Sequence, residues 1–89
     1  MDTMTGRRMP DVDADKLVPD DVQHGDYWRD STGTWWICPP RGSIGRISNH
    51  TVVEHDDGTI TASPSILMTS GDSRQRWHGY LEKGVWREC

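Results

Sequence analysis

The chain has no phenylalanine, only two cysteines, no long apolar run and no surplus of basic charge. Each shortage excludes something. Without Phe, the core of an 89-residue protein must lean on five Trp with scattered Ile, Val and Leu, each indole offering on the order of 150–250 Å² of buriable surface. Two cysteines, Cys38 and Cys89, do not make a disulfide framework, so both are expected as free thiols in a reducing compartment. No stretch reaches the roughly 18 apolar residues of a membrane-spanning helix, and no charged-then-apolar opening suggests a secretory signal. Ten Lys and Arg against 14 Asp and Glu give a net charge of −4, which argues against a generic nucleic-acid binder.

Hydrophobic residues make up 33% of the chain, below the roughly 45–50% of ordinary domains. A chain this short buries only about 60–65% of its unfolded surface. These values imply one small domain attached to a polar segment. The charge is divided in the same way: residues 1–30 carry eight acidic and four basic side chains, and residues 31–89 carry six of each. Residues 1–23 are therefore expected as a flexible acidic arm, with Leu17, Val18 and Val22 as its anchors. Asp13 could cap a single turn, which Pro19 would end. Residues 24–89 are expected as the β domain.

Within that domain short β-branched and aromatic runs alternate with turn residues. Asp26–Arg29 and Thr34–Cys38 flank Asp-Ser-Thr-Gly, a hairpin signal with Gly33 free to take positive φ. Asn49–Glu54 and Thr59–Ala62 flank His55-Asp56-Asp57-Gly58, a second. Pro64 is expected to confine its surroundings to an edge or a strand start, with Ile66–Met68 a separate strand. Trp77–Leu81 and Val85–Glu88 form the last hairpin, with Gly84 in the αL position of a three-residue loop. Alternation places Trp77, Gly79 and Leu81 on one face and His78 and Tyr80 on the other. Seven or eight strands and no convincing helix give an all-β fold: a small antiparallel meander or partly open barrel with an extended N-terminal arm.

The chemistry-bearing residues are dispersed. Cys38, His50, His55, His78 and Cys89 are zinc-ligand types, but Cys38-Pro39-Pro40-Arg41 lacks the second cysteine of a zinc knuckle, so no metal and no cofactor is expected. No spacing ties a Ser or Cys to a base and an orienting group. The carboxylate pairs Asp20-Asp21 and Asp56-Asp57 fall in the arm and in a tight turn. This describes a non-enzymatic protein. Arg41, Arg46, Arg74, Arg76 and Arg87 interleave with Trp35, Trp36, Trp77 and Trp86 in a manner that would suit single-stranded nucleic acid, but the domain is charge-neutral. Trp, Tyr and Arg also populate protein-binding hot spots, and Trp28, Trp35, Arg74, Arg76 and Tyr80 are the candidate partner-binding residues. Trp36, Trp77 and Trp86 are expected in the core.

The run Asp57-Gly58-Thr59-Ile60-Thr61, then Ser63-Pro64-Ser65-Ile66, then His78 and the Gly84-Val85-Trp86 hairpin, resembles a group of small β domains carried by bacteriophages and mobile elements. Their pattern joins a Cys-Pro-x-Cys knuckle, D-G-x-x-T-x-x-P-S-I and a late Cys-Gly-x-His. Cys38-Pro39 and His78 match. The second knuckle cysteine, near Arg41, and the cysteine ahead of His78 are missing. The resemblance covers about residues 35–88. It implies a zinc-ribbon-like scaffold that has shed its metal, in an accessory protein of actinobacteriophage type. Two settings follow from it: a host-takeover or anti-defence factor bound to a bacterial protein in the host cytoplasm, or a minor virion component bound to a phage structural protein. A degenerate zinc-binding domain is the further alternative.

Overall fold

A computed structural model describes residues 3–68 and 76–89. The fold is all-β, and its nine strands among the described residues form two open sheets rather than a closed barrel. Strands β1 (Thr3–Thr5), β6 (Thr51–Glu54), β7 (Ile60–Met68), β8 (Trp77–Glu82) and β9 (Val85–Glu88) build a five-stranded sheet in the order β1-β9-β8-β7-β6. Strands β2 (Arg7–Arg8), β3 (Asp26–Arg29), β4 (Trp35–Ile37) and β5 (Gly45–Arg46) build a four-stranded one in that order. All pairings are antiparallel except β2 with β3.

The sheets share one core: Tyr27, Ile37 and Ile47 from the four-stranded side meet Ile60, Ala62, Ile66, Trp77, Leu81 and Trp86 from the five-stranded side. Trp77 and Trp86 contact edge to face, with ring centroids 5.2 Å apart, the arrangement aromatic quadrupoles favour. Strand β8 alternates strictly between buried and exposed residues, so the period-2 reading of the last hairpin holds. Its loop is shorter than expected. Glu82 pairs with Val85, leaving Lys83 (φ 48°) and Gly84 (φ 77°) as a two-residue turn, whose paired positive φ angles match the strand twist.

Two further expectations need correction. Pro64 does not end a strand. Ala62 pairs with Leu81 and Ile66 with Gly79, so three residues of β7 bulge opposite the single residue Tyr80. A bulge leaves residues out of the ladder, and that is where a residue without an N–H is tolerated. The N-terminal segment is not a separate arm either. β1 adds to the five-stranded sheet and β2 to the four-stranded one, so residues 3–8 straddle both. The path continues beside β3 through Met9 N–H to the Tyr27 carbonyl (2.8 Å) and Val12 N–H to the Arg29 carbonyl (3.1 Å). The single turn after Asp13 is present, with Lys16 N–H on the Asp13 carbonyl at 2.9 Å.

Candidate functional site

The four-stranded sheet is covered on both sides. Tyr27 and Ile37 face the shared core, while Trp28 and its cross-strand partner Trp36 face away from it. Trp28 is nonetheless fully buried, its indole N–H donating to the Leu17 carbonyl at 2.9 Å. The segment after β2 thus roofs that face. Trp28 is therefore too enclosed to bind a partner, and Trp36, expected in the core, is instead half-buried and the more exposed of the pair. The Trp36 N–H donates to Asp30 at 2.9 Å.

Trp35 is also engaged from within. The Arg8 and Arg29 guanidinium carbons lie 4.7 and 5.3 Å from its ring centroid, within cation–π range. Both guanidiniums reach Asp11 (3.1 Å each), and they reach Glu54 at 2.7 and 3.3 Å respectively. Arg8 also donates to the Gly58 carbonyl at 2.9 Å. Two cations and two carboxylates thereby clamp the N-terminal segment to the β6–β7 turn, and the pairing holds the Asp11 carboxyl below its usual range despite an opposing desolvation effect. Arg7 adds a bidentate pair with buried Asp26 (3.0 and 2.8 Å). The arm's basic residues are its anchors.

The outer face of the five-stranded sheet is different, because no layer covers it among the described residues. Register places Thr3, Thr5, Val53, Thr61, Leu67, His78, Tyr80, Glu82, Val85 and Arg87 on that side. Leu67, Val53, Tyr80 and Val85 are 60%, 52%, 41% and 37% exposed. The Arg87 guanidinium donates to Glu82 across the hairpin at 2.8 Å, so the face is nearly neutral. Of the candidate residues, Tyr80 sits here. Arg76 is exposed and its carbonyl accepts from Arg41 Nε at 2.8 Å. Arg74 lies outside the described residues. Leu67 and Val53 were missed in the sequence, because a strand's exposed side is fixed only by its partner's register.

Several titratable groups are occupied structurally. Cys38 is buried with Sγ 3.7 Å from His24 Nδ1, and burial pushes its thiol up, with the Asp26 charge acting the same way. That is the reverse of an activated thiolate. Ser65 Oγ stands 3.2 Å from His78 Nε2, a spacing open to base catalysis, but no carboxylate hydrogen-bonds His78 among the described residues. His55 bonds Thr61 Oγ1 at 2.8 Å. Asp57 holds the N–H and hydroxyl of Thr59 at 3.0 and 2.6 Å, which lowers its pKa and commits it to its own turn. Asp30 accepts from Thr32, Thr34 and Trp36, and those bonds, the Thr32 hydroxyl first, lower its pKa to about 2. Among the described residues no three His, Cys, Asp or Glu side chains gather as a metal site, and no helix is long and apolar enough to cross a membrane.

No protein-family model, no curated protein and no solved structure matches this chain.

Proposed function

We propose that this protein is a non-enzymatic binding module that recognises another protein through the uncovered face of its five-stranded sheet. One observation carries the reading: Leu67, Tyr80, Val53 and Val85 are all substantially exposed on the one sheet face that no layer covers among the described residues. Scattered exposed apolar residues are ordinary, whereas their grouping on one flat, near-neutral face suits an interface. Tyr80, on central strand β8, is a residue type enriched at hot spots. The non-enzymatic half of the proposal is supported by the raised thiol of Cys38 and by the structural use of Asp30 and Asp57.

The phage setting of the proposal rests on the resemblance carried by Asp57–Ile66 and the closing hairpin. In it the partner is a host bacterial protein; stoichiometric recovery of the chain from purified virions would instead assign it a phage structural partner. The test uses the full chain as bait in host extract, with quantitative mass spectrometry. Tyr80→Asp and Leu67→Asp, each shown to unfold at the wild-type urea midpoint, should lose the captured protein. A folded double variant that captures the same protein at wild-type yield would sink the reading.

A further inference from the structure

We propose that the chain exchanges its N-terminal segment with a second copy of itself: a strained turn at Leu17 opens, and residues 3–16 of each copy dock between the two sheets of the other. The inference goes beyond the binding-module reading and stands apart from it, because the outer face of the five-stranded sheet takes no part.

The turn comes first. Val12 lies parallel to Asp30, just past the end of β3, and the chain must then reverse to begin that strand at Asp26. It reverses at Leu17. The Val18 N–H donates to the Lys16 carbonyl at 2.8 Å across a Leu17 with φ 68°. A bond of that span around a positive φ is the rare, strained form of the γ-turn, and a bulky residue there is an outlier. Leu17 is 47% exposed, so burial of its side chain does not account for the strain. The Trp28 indole N–H on the Leu17 carbonyl ties the turn to the body. Strained residues gather where a chain switches, and strained hinge loops favour exchange of an element between copies.

The docking contacts select the occupant. Gly6 N–H donates to the Gly84 carbonyl at 2.7 Å, and Arg7 forms its bidentate pair with Asp26. Arg8 reaches Glu54 at 2.7 Å and the Gly58 carbonyl at 2.9 Å, and Ala14 N–H donates to Ser31 Oγ at 2.9 Å. Each of these acceptors lies beyond Leu17 in the chain, so each contact survives unchanged when the segment comes from another copy. The groove admits only glycine at position 6: a Cβ there would meet the Gly25 carbonyl oxygen, Trp86 Nε1 and the Gly84 carbonyl oxygen at 2.8, 2.8 and 2.9 Å. Gly-Arg-Arg occurs once in the sequence, at residues 6–8. A second copy therefore carries the segment that matches every contact.

Exchange conserves those contacts and releases the strain at both hinges of a two-fold dimer. It gives up the bond from Trp28 to Leu17. The closed chain keeps the advantage of a tethered segment, an effective concentration on the order of millimolar. Exchange thus competes as the protein itself approaches that concentration.

The experiment compares hinge variants of the full chain by sedimentation equilibrium, after equilibration near the unfolding temperature so that exchange is not kinetically blocked. Leu17→Pro cannot take a positive φ and should be dimeric at micromolar concentration. Wild type should show dimer as it approaches millimolar. Leu17→Gly removes the strain and should dimerise about a hundredfold more weakly than wild type, about tenfold for each of the two hinges. Isotope-filtered NOEs should run from Gly6 of an unlabelled Leu17→Pro chain to the Trp86 indole N–H of a ¹⁵N-labelled one. Adding Gly6→Glu to that variant should return a monomer. A Leu17→Pro chain that is folded and monomeric at millimolar concentration overturns the proposal. So does a dimer that lacks those NOEs or survives Gly6→Glu, which would place the interface elsewhere on the molecule. If Leu17→Pro does not fold, the other two chains decide: no dimer of wild type at millimolar concentration, or equal association of wild type and Leu17→Gly, overturns the exchange.

Discussion

Replacing Gly6 by Ala tests whether the N-terminal segment belongs to the fold. A Cβ at this position would lie 2.8 Å from the Gly25 carbonyl oxygen, 2.8 Å from Trp86 Nε1 and 2.9 Å from the Gly84 carbonyl oxygen. Two of these three are backbone atoms, and the third belongs to a packed indole. They are also bonded: Trp86 Nε1 donates to the Gly25 carbonyl at 2.8 Å, and Gly6 N–H to the Gly84 carbonyl at 2.7 Å. The methyl must therefore open at least one of these bonds or displace Trp86. In open surroundings Gly→Ala stabilises by roughly 0.4–1 kcal/mol through the unfolded chain. Here that gain opposes about 1–3 kcal/mol of overpacking and about 1–3 kcal/mol for a buried indole N–H left without an acceptor. Taking central values, Gly6→Ala should destabilise by about 3 kcal/mol, equivalent to roughly 12–24 °C in Tm for a domain of this size. Urea unfolding followed by Trp fluorescence, with m unchanged, measures it. A change smaller than about 0.5 kcal/mol would show that residues 3–8 are not clasped between the sheets and would restore the loose arm suggested by composition.

Three other outcomes follow from the same structure. Trp77→Ala removes a fully buried ring stacked edge-on against Trp86 and should cost about 3–5 kcal/mol in urea unfolding; a loss under about 1 kcal/mol would contradict its place in the core. Asp30, with its folded-state pKa near 2 against 3.8 for the free group, contributes stability that is complete above the unfolded value and lost as pH falls from about 4 through 2. Asp30→Asn should accordingly flatten the acid limb of stability against pH, while an unchanged limb would show the carboxylate is not held as described. Cys38 is buried with a raised pKa and Cys89 is exposed, so a thiol reagent at pH 8 should label one cysteine rapidly and the other only at the rate of unfolding; two equally fast thiols would refute the burial of Cys38.

The legible parts of the fold are those fixed by neighbours in sequence. Strict alternation in Trp77–Glu82 separates the two faces of β8 and puts Tyr80 opposite the Trp77 face. Asp57-Gly58 and Gly33 marked their hairpins correctly. What local reading could not give is set by distant pairing. Pro64 looked like a strand boundary because only the register of β8 shows that the ladder has a bulge there. The exposure of Leu67 has no local sign in the sequence, because it depends on sharing a face with His78.

The exchanged fates of Trp28 and Trp36 show why composition does not reveal the place of the N-terminal segment. A period-2 pattern separates the two faces of a sheet but does not say which is covered. Trp28 and Trp36 pair across β3 and β4 on the face turned away from the core, a face that would be wet in a two-layer sandwich. Here Leu17 reaches Trp28 through its carbonyl, buried Pro19 lies in the same segment, and Arg7 donates to the Asp21 carbonyl at 3.3 Å. The acidic segment therefore acts as a partial third layer whose side chains point to water while its backbone and a few residues do the covering. Composition counts side chains, and by that count the segment cannot fold alone. It does not have to: the four-stranded sheet supplies a Trp face and the partners Asp26 and Tyr27, and Arg7 and Arg8 supply the anchoring charge. With the arm spent on that face and on the β9 edge, no element among the described residues covers the outer face of the five-stranded sheet.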